Sequence, residues 1–403
     1  MTRNSSRPTM NSSQIKASTT PRTKLAIDGG APAFAQPLHV GRPNVGDPAR
    51  FATYMQQVFE NRWLTNNGPL VQELEARIAK DLDVKHCVAM CNGTIALEIA
   101  IRALGLRGEV IVPSWTFIAT AHALAWQGIS PVFADIDPDT HNLTAATVEP
   151  LITPRTSGII GVHLWGRPAP IDELQLLADQ HGLALMFDSA HAFRTSYRGR
   201  RIGGFGQCEV LSFHATKVFN TMEGGAVVTN DDQLAAKMRL MRNFGFAGFD
   251  NVVHPGTNGK MIEASAAMGL TNLESLDEFI AANERCYQHY ASRFDGIPGL
   301  DLVLYDPAEE NNYHYIVASV SDASATSRDR LVEVLSAENV LARKYFWPGC
   351  HRMLPYRDEI DVSLPNTDAV AARNLVLPSG PTLTPDDIDA ICDILELGAR
   401  KSL

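Results

Sequence analysis

Lys217 closes the run Ser212-Phe213-His214-Ala215-Thr216-Lys217, six residues before the Glu223-Gly224-Gly225 turn. Upstream, the apolar run Leu183-Ala184-Leu185-Met186-Phe187 ends in Asp188, and Ser189-Ala190-His191 follow. One apolar strand that delivers an acid, and a second that delivers a lysine, are what pyridoxal phosphate chemistry requires. The lysine amine condenses with the cofactor aldehyde, and the carboxylate pairs with the pyridinium nitrogen and keeps the ring an electron sink. At an effective dielectric of about 20, unit charges about 4 Å apart attract by roughly 4 kcal/mol before desolvation, enough to keep the ring protonated at neutral pH. Taken singly, Lys217 reads first as a surface lysine after a strand and Asp188 as a cap of the next turn.

Further anchors add to the pair. Val88-Ala89-Met90-Cys91-Asn92-Gly93-Thr94 reads as a short buried strand entering a glycine turn. A helix follows from Ile95 to Leu104, with apolar Ile95, Ile99 and Ala103 at a spacing of four. A Gly93-Thr94 helix start offers backbone N–H groups, a hydroxyl and the positive dipole end to a phosphate, although such pairs are also ordinary N-caps. The Ser212 hydroxyl is a second candidate phosphate donor. A third strand, Glu109-Val110-Ile111-Val112, runs into Pro113-Ser114-Trp115-Thr116-Phe117, where an aromatic ring can stack on a planar pyridine or simply pack.

With these residues in place, the chain resembles the nucleotide-sugar aminotransferases of the DegT/DnrJ/StrS type, fold type I of the pyridoxal phosphate enzymes. The resemblance spans about Ile27 to about Leu395 and rests on motifs in order. Trp63-Leu64-Thr65, Gly68-Pro69, Gly93-Thr94, Pro113 to Phe117 and Asp135-Ile136-Asp137-Pro138-Asp139-Thr140 come first. Val162-His163-Leu164-Trp165-Gly166, Asp188-Ser189-Ala190-His191, Ser212 to Lys217 and Glu223-Gly224-Gly225 follow. Arg242-Asn243, Gly256-Thr257-Asn258 and Leu377-Pro378 complete the series. The resemblance implies that Lys217 carries the cofactor and that Asp188 partners its ring nitrogen. It places His191 near the phenolic oxygen, Phe117 rather than Trp115 over the ring, and Gly93, Thr94 and Ser212 on the phosphate. Asn258 is implied to reach the phosphate in a neighbouring subunit, which makes the active unit a homodimer with shared sites.

The same resemblance implies L-glutamate as amino donor and a nucleotide-linked keto-sugar as acceptor. Lys217-Val218-Phe219-Asn220-Thr221-Met222-Glu223-Gly224-Gly225 and Asn243-Phe244-Gly245-Phe246-Ala247-Gly248 look most like members that aminate a dTDP-4-keto-6-deoxyhexose at carbon 4. Carbon-3, UDP-sugar and cyclitol aminases share most core motifs and stay open. Arg194 and Arg242 are the candidate partners for the glutamate carboxylate. Two other classes compete, a pyridoxal phosphate-dependent lyase or desulfurase and a non-catalytic cofactor-binding regulator. None of the cysteines lies in a Gly/Ser-rich loop suited to a desulfurase.

The elements that must position these residues are legible from pattern. From about Lys85 to Val228 short apolar strands alternate with helices such as Ile171 to Gln180. That order predicts an α/β fold with a mostly parallel sheet and helices on both faces. Ligands in such sheets bind beyond the carboxyl ends of the strands, so Thr94, Phe117, Asp188 and Lys217, which all follow strands, are expected on one rim. A smaller α+β domain is expected from 276 to 403, with a long helix from Leu276, a strand over Tyr315–Val320 and a last helix near Asp386–Leu397. Residues 24–275 form the large domain in this reading, and 1–23, rich in Ser, Thr, Asn and Arg, a disordered tail.

Length and composition agree. A chain of 403 residues, 45% of them hydrophobic, buries a large core. The formal charge of −10 argues against a nucleic-acid-binding surface. The six cysteines form no C-x-x-C pair, so no metal site is expected, and they read as reduced thiols of a cytoplasmic protein. No apolar run reaches the length of about 18 residues that a membrane span needs.

Overall fold

A computed structural model of the chain describes residues 24–400; the expected tail over 1–23 lies outside them. Seven strands form the central sheet: β1 (His86–Met90), β2 (Glu109–Pro113), β3 (Ser130–Ala134), β4 (Thr156–Val162), β5 (Ala184–Asp188), β6 (Cys208–Ser212) and β7 (Gly225–Thr229). Their order is β1-β7-β6-β5-β4-β2-β3. Only β7 runs antiparallel to its two neighbours, and the other pairs are parallel. The carboxyl ends of six strands therefore share one edge, and the start of β7 joins them there.

Helices α1 (Pro69–Asp81), α2 (Gly93–Leu104), α3 (Ala119–Ala125), α4 (Ile171–His181), α5 (Asp232–Met241) and α6 (Glu263–Glu274) cover the sheet. The two-residue period of the strands divides the core. Val88, Val110, Val112, Ile160 and Met186 face α2, α3 and α5. Ala89, Ile111, Leu185, Phe187 and Leu211 face α1, α4 and α6. Because both faces are covered, β2 is buried along its whole length and its sequence is nearly all apolar. Each fully buried Val, Ile or Leu contributes about 1.5–3 kcal/mol. Ile111→Asp would break this layer by burying an unpaired charge.

The chain continues through α7 (Leu276–Phe294) into an antiparallel sheet of β8 (Leu300–Leu302), β9 (Ile316–Val320) and β10 (Asn374–Leu377). Helices α8 (Arg328–Ala337) and α9 (Pro385–Arg400) pack on it with α7. One part of the N-terminal segment joins this cluster, which a boundary at residue 276 did not anticipate. Leu25, Phe34 and Leu38 pack among its side chains. The Glu338 carboxylate accepts the Ala26 and Ala33 N–H groups, both at 2.7 Å, and Leu38–His39 pairs with Val340–Leu341. Trp115, Val162, Trp165, Tyr315, Val317 and Phe346 form a further cluster across the junction of the two sheets. Among the described residues no helix is long and apolar enough to cross a membrane.

Candidate active site

β5 carries its last residue into the rim as a buried acid. Asp188 is 6% exposed. One carboxylate oxygen accepts the Thr120 hydroxyl at 2.8 Å and the other the Ala190 N–H at 3.1 Å. Thr116, in the bend before α3 and four positions ahead of Thr120, has its hydroxyl 3.1 Å from that of Thr120. Burial is the largest influence on Asp188 and raises its pKa; Thr120, the Ala190 N–H and Lys217 oppose it. Among the described residues no cationic side chain forms an ion pair with this carboxylate. It is a buried acid that a bound cation would satisfy.

The support beneath Asp188 is rigid. His163 donates its backbone N–H to the Asp188 carbonyl at 3.0 Å. Its ring stacks on Phe187 at 4.7 Å. Glycine at position 161 is required here, since a Cβ would lie 2.6 Å from the Phe187 ring. His163 Nδ1 accepts the Ala169 N–H at 3.0 Å, which assigns the proton to Nε2, 3.4 Å from Glu209. Glu209 is fully buried and accepts the Ser189 hydroxyl and the Gly203 and Phe205 N–H groups.

Lys217 sits in the turn after β6, where its N–H bonds to the His214 carbonyl. Its Nζ lies 3.3 Å from the Tyr315 hydroxyl. Burial pulls the amine down to about 8, with Asp188 opposing. Tyr315 packs against His191, ring centres 4.4 Å apart. Burial, then Lys217, push the His191 pKa well down, so the ring is neutral. Its Nδ1 accepts the Trp165 N–H at 3.2 Å, which leaves Nε2 as a donor.

The opposite end of the cavity is made of backbone and hydroxyl groups. Asn92 caps α2 by accepting the Ile95 N–H at 2.8 Å. The N–H groups of Gly93 and Thr94, in the first turn, have no intrahelical acceptor. A Cβ at Gly93 would lie 3.1 Å from the Ser212 Cβ, so the helix start and the end of β6 converge. The cavity measures about 510 Å³, within the range of small-molecule sites. A phosphate cradle at one end, an unpaired buried acid and a buried lysine beyond it fit pyridoxal phosphate. Among the described residues no cluster could hold a metal ion, and the six cysteines are all free.

Gly93, Thr94, Phe117, Asp188, His191, Ser212 and Lys217 all line this cavity. Phe117 is exposed at its mouth, while Trp115 is core. Asn258 stands apart, exposed and bridged to Asn243. Arg194 and Arg242, the two arginines considered for the glutamate carboxylate, do not line the cavity. Arg194 is neutralised by Asp81 and Asp277, and buried Arg242 by Glu75. Sequence reasoning missed Thr120, Tyr315 and Phe346. The Thr116/Thr120 spacing was a usable signal for the first. Nothing local marked Tyr315, which lies 98 residues from Lys217.

Known proteins resemble this chain in sequence and fold. The sequence profile of the DegT/DnrJ/EryC1/StrS aminotransferase family matches residues 47–396. The chain is 35% identical over 364 residues to a dTDP-4-amino-4,6-dideoxy-D-glucose transaminase of Escherichia coli, covering 89% of this chain and 98% of that protein. It is 36% identical over 349 residues to a GDP-perosamine synthase of Caulobacter vibrioides, covering 85% and 94%. Among solved structures, DesI in the presence of its TDP-sugar product superposes with a TM-score of 0.91 at 48% identity, covering 94% of this chain and 97% of that one.

Proposed function

This chain belongs to the DegT/DnrJ/EryC1/StrS aminotransferase family, is a pyridoxal phosphate-dependent transaminase of fold type I, and, we propose, moves an amino group from L-glutamate to carbon 4 of a dTDP-4-keto-6-deoxyhexose. The observation that carries the chemistry is the meeting of Asp188, Lys217 and the α2 phosphate cradle in one cavity. The sugar follows from the E. coli transaminase and from DesI with its TDP-sugar product. The comparable identity to a GDP-perosamine synthase makes a GDP-linked keto-sugar the second reading.

When bound, pyridoxal phosphate supplies an aldehyde that captures amines and a ring that accepts the electrons left by a departing α-proton. Gly93, Thr94 and Ser212 would hold the phosphate, and Asp188 would pair with the ring nitrogen. Phe117 would pack on the ring, and His191 Nε2 would donate to the phenolic oxygen. Lys217 would anchor the cofactor covalently. The same amine would hold and move the proton at the substrate's α-carbon, a task suited to an amine near 8 rather than 10.5. Tyr315 holds that amine in line through its hydroxyl.

The working unit in this proposal is a cytoplasmic homodimer. Asn258, exposed in the single chain, reaches the cofactor phosphate of the second subunit. Incubating the holoenzyme with L-glutamate and dTDP-, UDP- and GDP-linked keto-sugars, with mass detection of the amino-sugar, tests the function. Amination of none of them, or of carbon 3 only, refutes it.

A further inference from the structure

The chain that leads into β9 touches the turn of Lys217 twice. Tyr315, the residue before β9, places its hydroxyl beside the lysine amine. His314, one position earlier, is buried, and its Nε2 lies 2.8 Å from the carbonyl of Thr216, the residue before Lys217. A carbonyl only accepts, so Nε2 carries the proton and donates. We propose that His314 is a positioning residue for Lys217, which grips the Thr216 carbonyl, fixes the turn and keeps the amine in the cavity, shielded from bulk water. The assignment rests on the proposed function, in which Lys217 is the anchor, and adds the residue that prepares it.

Two consecutive residues of one segment thus hold two consecutive residues of the other. His314 takes the Thr216 carbonyl and Tyr315 the Lys217 amine, with their own rings edge-on at 4.8 Å. The other hydrogen bond at this point, from the Lys217 N–H to the His214 carbonyl at 2.9 Å, lies within the turn and moves with it. A second segment closes on Thr216. Gly41, at φ +72°, approaches so closely that a Cβ would lie 3.0 Å from the Thr216 Cβ.

His314 is itself held firmly. Its N–H donates to the Asn312 side-chain oxygen at 3.1 Å, and its carbonyl accepts the Ser379 hydroxyl at 2.7 Å. Asn312, fully buried, donates in turn to the His191 carbonyl at 2.8 Å and the Phe193 carbonyl at 3.0 Å. Past Tyr315 the chain enters β9, which pairs with β10, and Ser379 lies just beyond β10. The grip is therefore mounted on the small sheet and braced against the stretch that carries His191, the kind of support that holds a reactive group in one geometry.

Charge leaves the grip constant while Lys217 titrates. Burial holds the His314 pKa down to about 4 against the Thr216 carbonyl, and Lys217 adds to the depression. Burial also pushes Tyr315 well up. Both stay neutral around the Lys217 value of about 8. The other titratable side chains on the cavity wall are Asp188, His191, His214, Glu223 and Tyr345. They are unaltered by a change at position 314, so a shifted Lys217 reports on the turn. A turn released from His314 lets water reach the amine, and hydration returns a desolvated lysine toward its usual 10.5.

Trace acetylation of the full-length apoprotein with acetic anhydride tests the proposal, because only a neutral amine reacts. Labelling of Lys217 is read by mass spectrometry across pH. In His314→Leu the midpoint should rise by about one pH unit, so that labelling falls about tenfold at pH 7 and less than about twofold at pH 9.5. In His314→Gln, whose amide N–H replaces the Nε2 donor, the midpoint should stay within about 0.3 unit of wild type. A merely structural role would lower the melting temperature and leave the midpoint in place. Where His314→Leu does not fold, His314→Asn, too short to reach the carbonyl, serves instead. A midpoint unmoved in a folded variant without the donor overturns the proposal, and so does an equal shift in His314→Gln. A shifted midpoint with borohydride fixing the cofactor to another lysine supports the grip on Lys217 and refutes its role as the anchor.

Discussion

The floor of the catalytic cavity and the arm over residues 243–260 both carry candidate cofactor residues, in opposite surroundings. On the floor, Asp188, Lys217 and His191 are held by partners within this chain, and burial moves the pKa of each. At its base the arm is tied to the sheet, where the Cys91 N–H donates to the Gly259 carbonyl and Met90 bridges Lys260. Farther out it displays Phe244, Phe249 and Val252, with Phe249 99% exposed. Lys260 covers part of Phe244 from 4.6 Å. The floor is electrostatically specified within one chain. Asn258 on the arm acquires a function only if a second chain supplies what it touches.

The sharpest break in that comparison is Lys217→Ala. In the proposed mechanism it removes covalent anchor and proton carrier together, so transamination should fall by on the order of 10⁴. Borohydride should no longer fix cofactor to the protein, and if it does, another lysine is the anchor. Asp188→Asn comes next, with a loss on the order of 10² in rate, because an amide cannot hold the ring nitrogen protonated. A rate within about threefold of wild type would remove Asp188 from the mechanism.

For the arm the expected effect is smaller and takes a different form. Losing one hydrogen bond to a phosphate costs roughly 1.5–3 kcal/mol, so Asn258→Ala should weaken cofactor retention by about tenfold or more. At cofactor concentrations too low to load Asn258→Ala, mixing it with Lys217→Ala subunits should restore activity, because each mixed dimer holds up to one site with both residues intact. Subunit exchange without recovery refutes the shared site, and so does a fully active monomer.

The mildest test concerns acidity on the floor. Burial depresses Lys217 to about 8 in the folded chain, from the usual 10.5. A depressed lysine is neutral above its folded pKa, so the reactive amine rises from about a tenth of molecules at pH 7 to about nine tenths at pH 9. Reconstitution of the apoprotein with pyridoxal phosphate should therefore accelerate by about tenfold across that interval, with a midpoint near 8. A rate that keeps climbing toward pH 10.5 would show an exposed, unperturbed lysine.

Much of the frame was legible from pattern. Alternating apolar strands and amphipathic helices specified the layered α/β fold. The helical stretches from Leu276 and near Asp386 correspond to α7 and α9. The reversed direction of β7 had no such signature, since a buried strand of Gly, Ala and Val reads alike in either direction. The packing of Leu25, Phe34 and Leu38 with the C-terminal cluster was also hidden. Apolar spacing shows that a residue is buried without showing against what.

By itself the sequence determined the residues at or just past a strand end: Gly93 and Thr94 after β1, Asp188 at the end of β5, Ser212 at the end of β6 and Lys217 in the turn after it. Their chemistry is set by local order along the chain, and the rule that parallel strands present their carboxyl ends together places them on one rim. Only the tertiary structure decided which groups condition them. Thr120 reaches Asp188 across 68 positions and Tyr315 reaches Lys217 across 98. It also decided that Arg194 and Arg242 are committed to nearby acids. Such pairings depend on which elements pack together, and hydrogen-bond distance in space leaves no periodic trace in the sequence.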